Sequence, residues 1–105
     1  MMEQKEVLKN RQYRGQIMRI VAMFYPSPVT VKQLKLALQE YGLLHTADID
    51  KHIHYLADDS DKKNPPYVRR EDSFMKELLD DDRLYITKAG IKLIEGSIQD
   101  DDVLL

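Results

Sequence analysis

Three histidines, His45, His52 and His54, are the side chains of this chain best able to hold a metal or move a proton near neutral pH. Their spacing does not make them converge. On a helix, His52 and His54 point about 200° apart. The chain has no cysteine, so no thiolate joins them. It also lacks a nucleophile motif, a glycine-rich phosphate loop and a carboxylate pair suited to acid–base work in a cleft. The sequence therefore predicts no enzyme, no metal site and no bound cofactor. What remains is a set of cationic and hydrogen-bonding side chains, among them Lys32, Lys35, Lys51, His54 and Tyr55. These types suit phosphate oxygens and base edges.

The placement of charge sharpens that reading. The net charge of −2 by itself suggests no polyanion partner. Residues 1–45, however, carry seven basic and three acidic side chains, and residues 46–105 carry nine and fifteen, so the two parts stand at +4 and −6. Such asymmetry points weakly to an acidic partner for the basic part, against the simpler reading of solvated charged faces. The densest basic run is Lys5, Lys9, Arg11, Arg14 and Arg19. With 105 residues, 43% of them hydrophobic, the chain fits one domain over residues 1–98 and an acidic, flexible tail over 99–105. Residues 1–5 hold no apolar leader, and no stretch approaches the roughly 18 apolar residues of a membrane span. The expectation is a soluble, cytoplasmic protein with no membrane partner.

The elements that position these side chains follow from periodicity and caps. Tyr13, Ile17, Ile20, Val21 and Phe24 form one stripe of a helix over residues 3–25, which Pro26 and Pro28 terminate. Val29 is expected in an extended link. Thr30 and Gln33 form a capping box for a second helix with Val31, Leu34, Leu38 and Tyr41 inward and Gly42 as its stop. After the turn 42–45, Thr46 caps a third helix with Ile49, Ile53 and Leu56 on one face and His52 beside them. Beyond Pro65-Pro66 the period changes to that of strands, over 67–71 and 83–87. Phe74, Met75, Leu78 and Leu79 could make a helical turn between them. Thr87 caps a last helix over 88–97, with Ile91 and Ile94 inward.

Three helices and then a two-stranded hairpin predict a mainly α fold with a small β-hairpin, in the order of a winged helix-turn-helix. The residues resemble that family as well. Ile17-Met18-Arg19-Ile20-Val21-Ala22-Met23-Phe24 with Val29-Thr30-Val31-Lys32-Gln33-Leu34 looks like its first two helices and proline-containing link. Asp48-Ile49-Asp50-Lys51-His52-Ile53-His54-Tyr55-Leu56 looks like its recognition helix. Leu84-Tyr85-Ile86-Thr87-Lys88-Ala89-Gly90 is similar to the end of the wing in MarR-, PadR- and ArsR-like regulators. The layout also resembles that of small winged-helix proteins of Mu-like phages. The resemblance covers about residues 14–97 and speaks for fold more than for function.

It implies a DNA-binding transcriptional regulator, of phage or prophage origin in the narrower resemblance. Helix 3 would then meet a major groove with Ala47, Lys51, His54 and Tyr55. Lys32 and Lys35 would touch phosphates, and Arg69, Arg70 and Arg83 would steady the wing. Asp48 and Asp50 fit this poorly, because carboxylates are repelled by phosphates, and helix 3 has no arginine. The alternative is a winged-helix protein-interaction module that binds no DNA. The implied partners are double-stranded DNA and a second copy of the chain, paired through helix 1 and the apolar segment 74–79.

Overall fold

A computed structural model describes residues 4–42, 46–71 and 77–105, without the side chains of residues 46–48. The chain runs α1 (Gln4–Phe24), β1 (Val29–Thr30), α2 (Val31–Glu40), α3 (Thr46–Ala57), β2 (Val68–Arg70), β3 (Arg83–Ile86) and α4 (Lys88–Glu95). It is mainly helical, with one small antiparallel sheet in the order β1-β3-β2. The expected hairpin thus gains a third strand. Val29 and Thr30 pair with Leu84 and Arg83, so the link after the prolines closes the sheet edge instead of merely spanning a gap. Two residues are too few to show an alternating pattern, and their partner lies more than fifty positions away.

The core forms where the stripes meet. Ile17, Met18, Ile20 and Val21 of α1, Leu34 and Leu38 of α2, and Ile49, Ile53 and Leu56 of α3 are almost wholly buried, with Val68 and Leu84 beneath them from the sheet. The capping box forms as the sequence predicts. The Gln33 N–H donates to Thr30 Oγ1 at 3.1 Å, and the Thr30 N–H donates to Gln33 Oε1 at 2.9 Å. Gly42 takes φ +80° beyond the end of α2. Tyr41, expected inside, is instead 57% exposed. It is the C-cap, where the chain leaves the helix, so the three-residue step from Leu38 no longer returns it to the core.

In α4 the inward face centres on Gly90 and Leu93, while Ile91 and Ile94 are only half-buried. Thr87 sets this rotation. Its N–H donates to the Tyr67 carbonyl, its hydroxyl donates to the Pro66 carbonyl at 2.6 Å, and its Oγ1 accepts from the Gly90 N–H. A Cβ on Gly90 would collide with the Tyr67 carbonyl oxygen, so the Thr-x-x-Gly spacing brings one backbone directly onto another. The Thr46 side chain expected as a cap lies outside the described side chains, and residues 43–45 of the expected turn, Phe74 and Met75 lie outside the described residues. Leu78 is buried and Leu79 exposed.

Of residues 99–105, expected as a flexible tail, Asp102 to Leu104 lie against α1. Val103 is buried and the Leu104 N–H donates to the Arg11 carbonyl at 3.0 Å. Gly15, read from sequence only as a weak point of the first helix, is where the segment seats. A Cβ there would overlap the Leu104 carbonyl. Gly15→Ala therefore sets a helix-propensity gain of about 1 kcal/mol against a backbone clash of about 1–3 kcal/mol. The expected outcome is a net loss of stability in urea unfolding, with faster amide exchange at Leu104. A stabilised variant with unchanged exchange at Leu104 would contradict the docking.

Candidate functional site

The side chains singled out by sequence lie on α2, α3 and the sheet. α3 buries Ile49, His52, Ile53 and Leu56, which turns Lys51, His54 and Tyr55 outward. Lys51 and His54, three residues apart, are neighbours on that exposed face. They take part in none of the ion pairs among the described residues. Ala47 lies outside the described side chains. His52 is a core residue: its Nδ1 accepts from Arg14 Nε at 3.3 Å, and its ring lies 5.1 Å from that of Tyr13. The described residues contain no cluster of three or more side chains suited to a metal.

Tyr55 is exposed but engaged. The Arg14 guanidinium stacks 3.9 Å above its ring, and its hydroxyl donates to Asp102 Oδ2 at 3.4 Å. Partial burial and then the Asp102 carboxylate raise its pKa, since both disfavour a phenolate. The docked C-terminal segment thus reaches one edge of α3. Arg11 pairs with Asp102 at 3.5 Å, and Arg14 Nη1 donates to the Asp102 carbonyl at 3.2 Å. Two members of the basic run on α1 are taken up in this way.

The start of α2 is occupied in a similar manner. The Val31 and Lys32 N–H groups, at the positive end of the helix dipole, donate to the carbonyls of Asp82 and Asp80 at 3.0 Å each. Lys35 Nζ reaches Asp80 Oδ1 at 3.3 Å, while the Lys32 side chain is exposed. The acidic run 80–82 therefore lies against α2. Nothing local in the sequence signals this, because the pairing spans 45 residues.

On the sheet, Arg69 is exposed and its guanidinium stands 5.2 Å from the ring of Tyr85, its cross-strand partner. Arg83 pairs loosely with Glu71 at 3.6 Å. Arg70 has a different task. Its Nη2 donates to Asp82 Oδ2 at 2.9 Å and to the Glu77 carbonyl at 3.1 Å, with both ion-pair side chains at most 15% exposed. The Leu79 N–H donates to the same Asp82 oxygen at 2.9 Å. Arg70, expected at a wing contact, thus fastens β2 to the loop before β3. The sequence-predicted residues form several separate groups: Lys32 with Lys35, Lys51 with His54, and the sheet arginines, each arginine with its own acid or ring.

Comparison with protein-family models, with curated proteins and with solved structures finds no match to this chain. Among the described residues, no helix is long and apolar enough to cross a membrane.

The Arg70–Asp82 link is open to a direct test. The Leu79 N–H holds the Asp82 carboxyl below its ordinary value against the opposing effect of burial, and Arg70 adds to the lowering. A depressed folded-state pKa contributes stability above the unfolded value near 3.9, and that contribution is lost as pH falls through the folded value. Arg70→Ala should cost about 2 kcal/mol at pH 7, between the exposed and the fully buried case. Asp82→Asn should flatten the fall in stability below about pH 4. Urea unfolding from neutral to acid pH measures both; an Asp82→Asn profile parallel to wild type would remove the pair from any stabilising role.

Proposed function

We propose that the chain is a winged-helix DNA-binding protein that acts as a transcriptional regulator, as the resemblance of its α1–α2 segment, its α3 and its Thr87-x-x-Gly90 turn suggests. The observation that carries the reading is the setting of α3. Its apolar face is anchored on α1 and the sheet, and it turns Lys51 and His54 outward on adjacent turns without ion pairs among the described residues. The β2–β3 hairpin that follows the three helices, with β1 added at its edge, is compatible with a wing beside that helix. In this reading Lys51 and His54 face the major groove, and Lys32 and Arg69 touch phosphates from the flanks. Lys35, Tyr55 and Arg83 are secondary, because a carboxylate already engages each, whereas the Tyr85 ring leaves the charge of Arg69 unneutralised. Arg70 acts through the loop that it ties down.

A second reading, a protein-docking module, is favoured by one specific observation. Asp80 and the docked loop occupy the start of α2, where a phosphate would otherwise gather N–H donors.

Fluorescence anisotropy with mixed-sequence duplex at about 50 mM salt separates the two, since low salt enhances any electrostatic association. For a DNA-binding protein, affinity falls steeply with added salt as released counterions are recaptured. Lys51→Glu and Lys32→Glu should each weaken binding about tenfold on every duplex, and His54→Ala should change sequence preference more than bulk affinity. Absence of binding to both mixed and selected duplexes would leave the docking reading.

A further inference from the structure

Two clefts lie side by side on the face formed by the loop 58–67, the start of α4 and the segment 98–102. One, of about 480 Å³, is lined by Asp58, Asp61, Asp100, Asp101 and Asp102 and by no cationic side chain. The other, of about 600 Å³, is lined by Lys63, Lys88 and Lys92 and by no carboxylate. They share one wall: Asn64, Pro65, Pro66, Tyr67 and Gln99 border both. Within the chain the two sets do not neutralise each other. None of the three lysines enters an ion pair among the described residues, and of the five aspartates only Asp102 does, with Arg11. The field at the acidic cleft is felt by its own wall. Tyr67 donates to Asp100 at 2.6 Å, and burial followed by that carboxylate pushes the phenol well above its ordinary pKa.

A surface with an anionic and a cationic half on either side of a common ridge is complementary to itself. A two-fold axis through the ridge sets the lysines of each copy over the aspartates of the other, so one contact is made twice. The ridge supplies apolar matter near the axis: Pro65 is exposed, and Pro66 and Tyr67 are half-buried. We propose that this face pairs two copies of the chain about a two-fold axis through the 64–67 ridge, with the lysine cleft of each copy seated on the aspartate cleft of the other. The pairing does not depend on DNA binding.

Sedimentation of the full chain tests the proposal. At tens of micromolar and about 50 mM salt, the expected mass is twice the 12.3 kDa of the monomer, with dissociation favoured as salt screens the pairs. The triple variant K63E/K88E/K92E makes both clefts anionic, and D58K/D61K/D101K makes both cationic. Each alone should dissociate at least tenfold more readily than wild type, and an equal mixture should recover a heterodimer, because both contacts become complementary again. A wild-type chain that stays monomeric under these conditions overturns the proposal. So does a folded triple variant that dimerises as tightly as wild type, or a mixture of two folded variants that fails to associate. Asp58 and Asp61 accept backbone N–H bonds in their own turns, so circular dichroism accompanies each variant. Should the aspartate variant not fold, the lysine variant and the salt dependence of the wild type decide the matter, since the three lysine side chains are exposed.

Discussion

The packing of α3 on α1, and with it everything that α3 presents, turns on Arg14. One guanidinium meets three partners: the His52 ring nitrogen through Nε, the Asp102 carbonyl through Nη1, and the face of Tyr55. Only a planar group with donors fanned around its rim and a stackable face can do this, and a lysine could not. The first contact needs a His52 Nδ1 that carries no proton, so it fixes the imidazole as an acceptor. Because His52 and Tyr55 stand one turn apart on α3, holding both fixes the rotation of that helix about its own axis. The burial of Ile49, Ile53 and Leu56 sets the inward face, and Arg14 adds two polar points of attachment that hold the same rotation, with Lys51 and His54 on the solvent side.

Arg14 also shows what the charge asymmetry of the sequence does. The basic part and the acidic part meet within the fold: Arg11 and Arg14 with Asp102, and Lys35 with Asp80. Each of these links joins residues from opposite halves of the chain. An asymmetry that suggested an external polyanion is thus partly consumed inside. Most of these pairs are exposed, and each contributes little by itself. Their effect is to choose where the C-terminal segment and the loop before β3 come to rest. Arg70 with Asp82, both from the acidic part, is different: limited solvent and the Leu79 N–H on the same carboxylate oxygen make that link a structural one.

The legible part of the fold was the local part. Thr30 with Gln33, and Thr87 with Gly90, were readable because a cap and its partner lie three residues apart and satisfy donors that any helix must leave open. The stripes of α1, α2 and α3 were readable for the same reason, since helical period is a property of neighbours. What the sequence withheld was non-local. β1 is defined by a partner strand that only the folded chain supplies. Gly15 and Gly90 read as weak helix positions or motif letters, whereas each is a seat for a distant carbonyl. Among the expected contact residues, Lys32, Lys51 and His54 follow their helical spacing to the surface. The engagement of Lys35, Tyr55, Arg69, Arg70 and Arg83 is not legible, because the partner of a charged or aromatic side chain cannot be found by spacing alone.

The two proposals bear on each other through α3. Its outward face carries Lys51 and His54, but one turn beyond His54 lies Asp58, at the rim of the aspartate cleft. For a lone chain, the five carboxylates that line this cleft oppose the approach of a phosphate backbone, and the repulsion reaches about a Debye length, roughly 10 Å at 0.1 M salt. Seating a second copy's three lysines in that cleft offsets most of the opposing charge without altering Lys51 or His54. Dimer formation and DNA affinity then favour each other, and by linkage each strengthens the other by the same factor. Salt acts on this system at two places. It screens the lysine–aspartate contact between copies and competes for the phosphates, so the salt dependence of DNA binding at low protein concentration should exceed what the phosphate contacts of a single chain require.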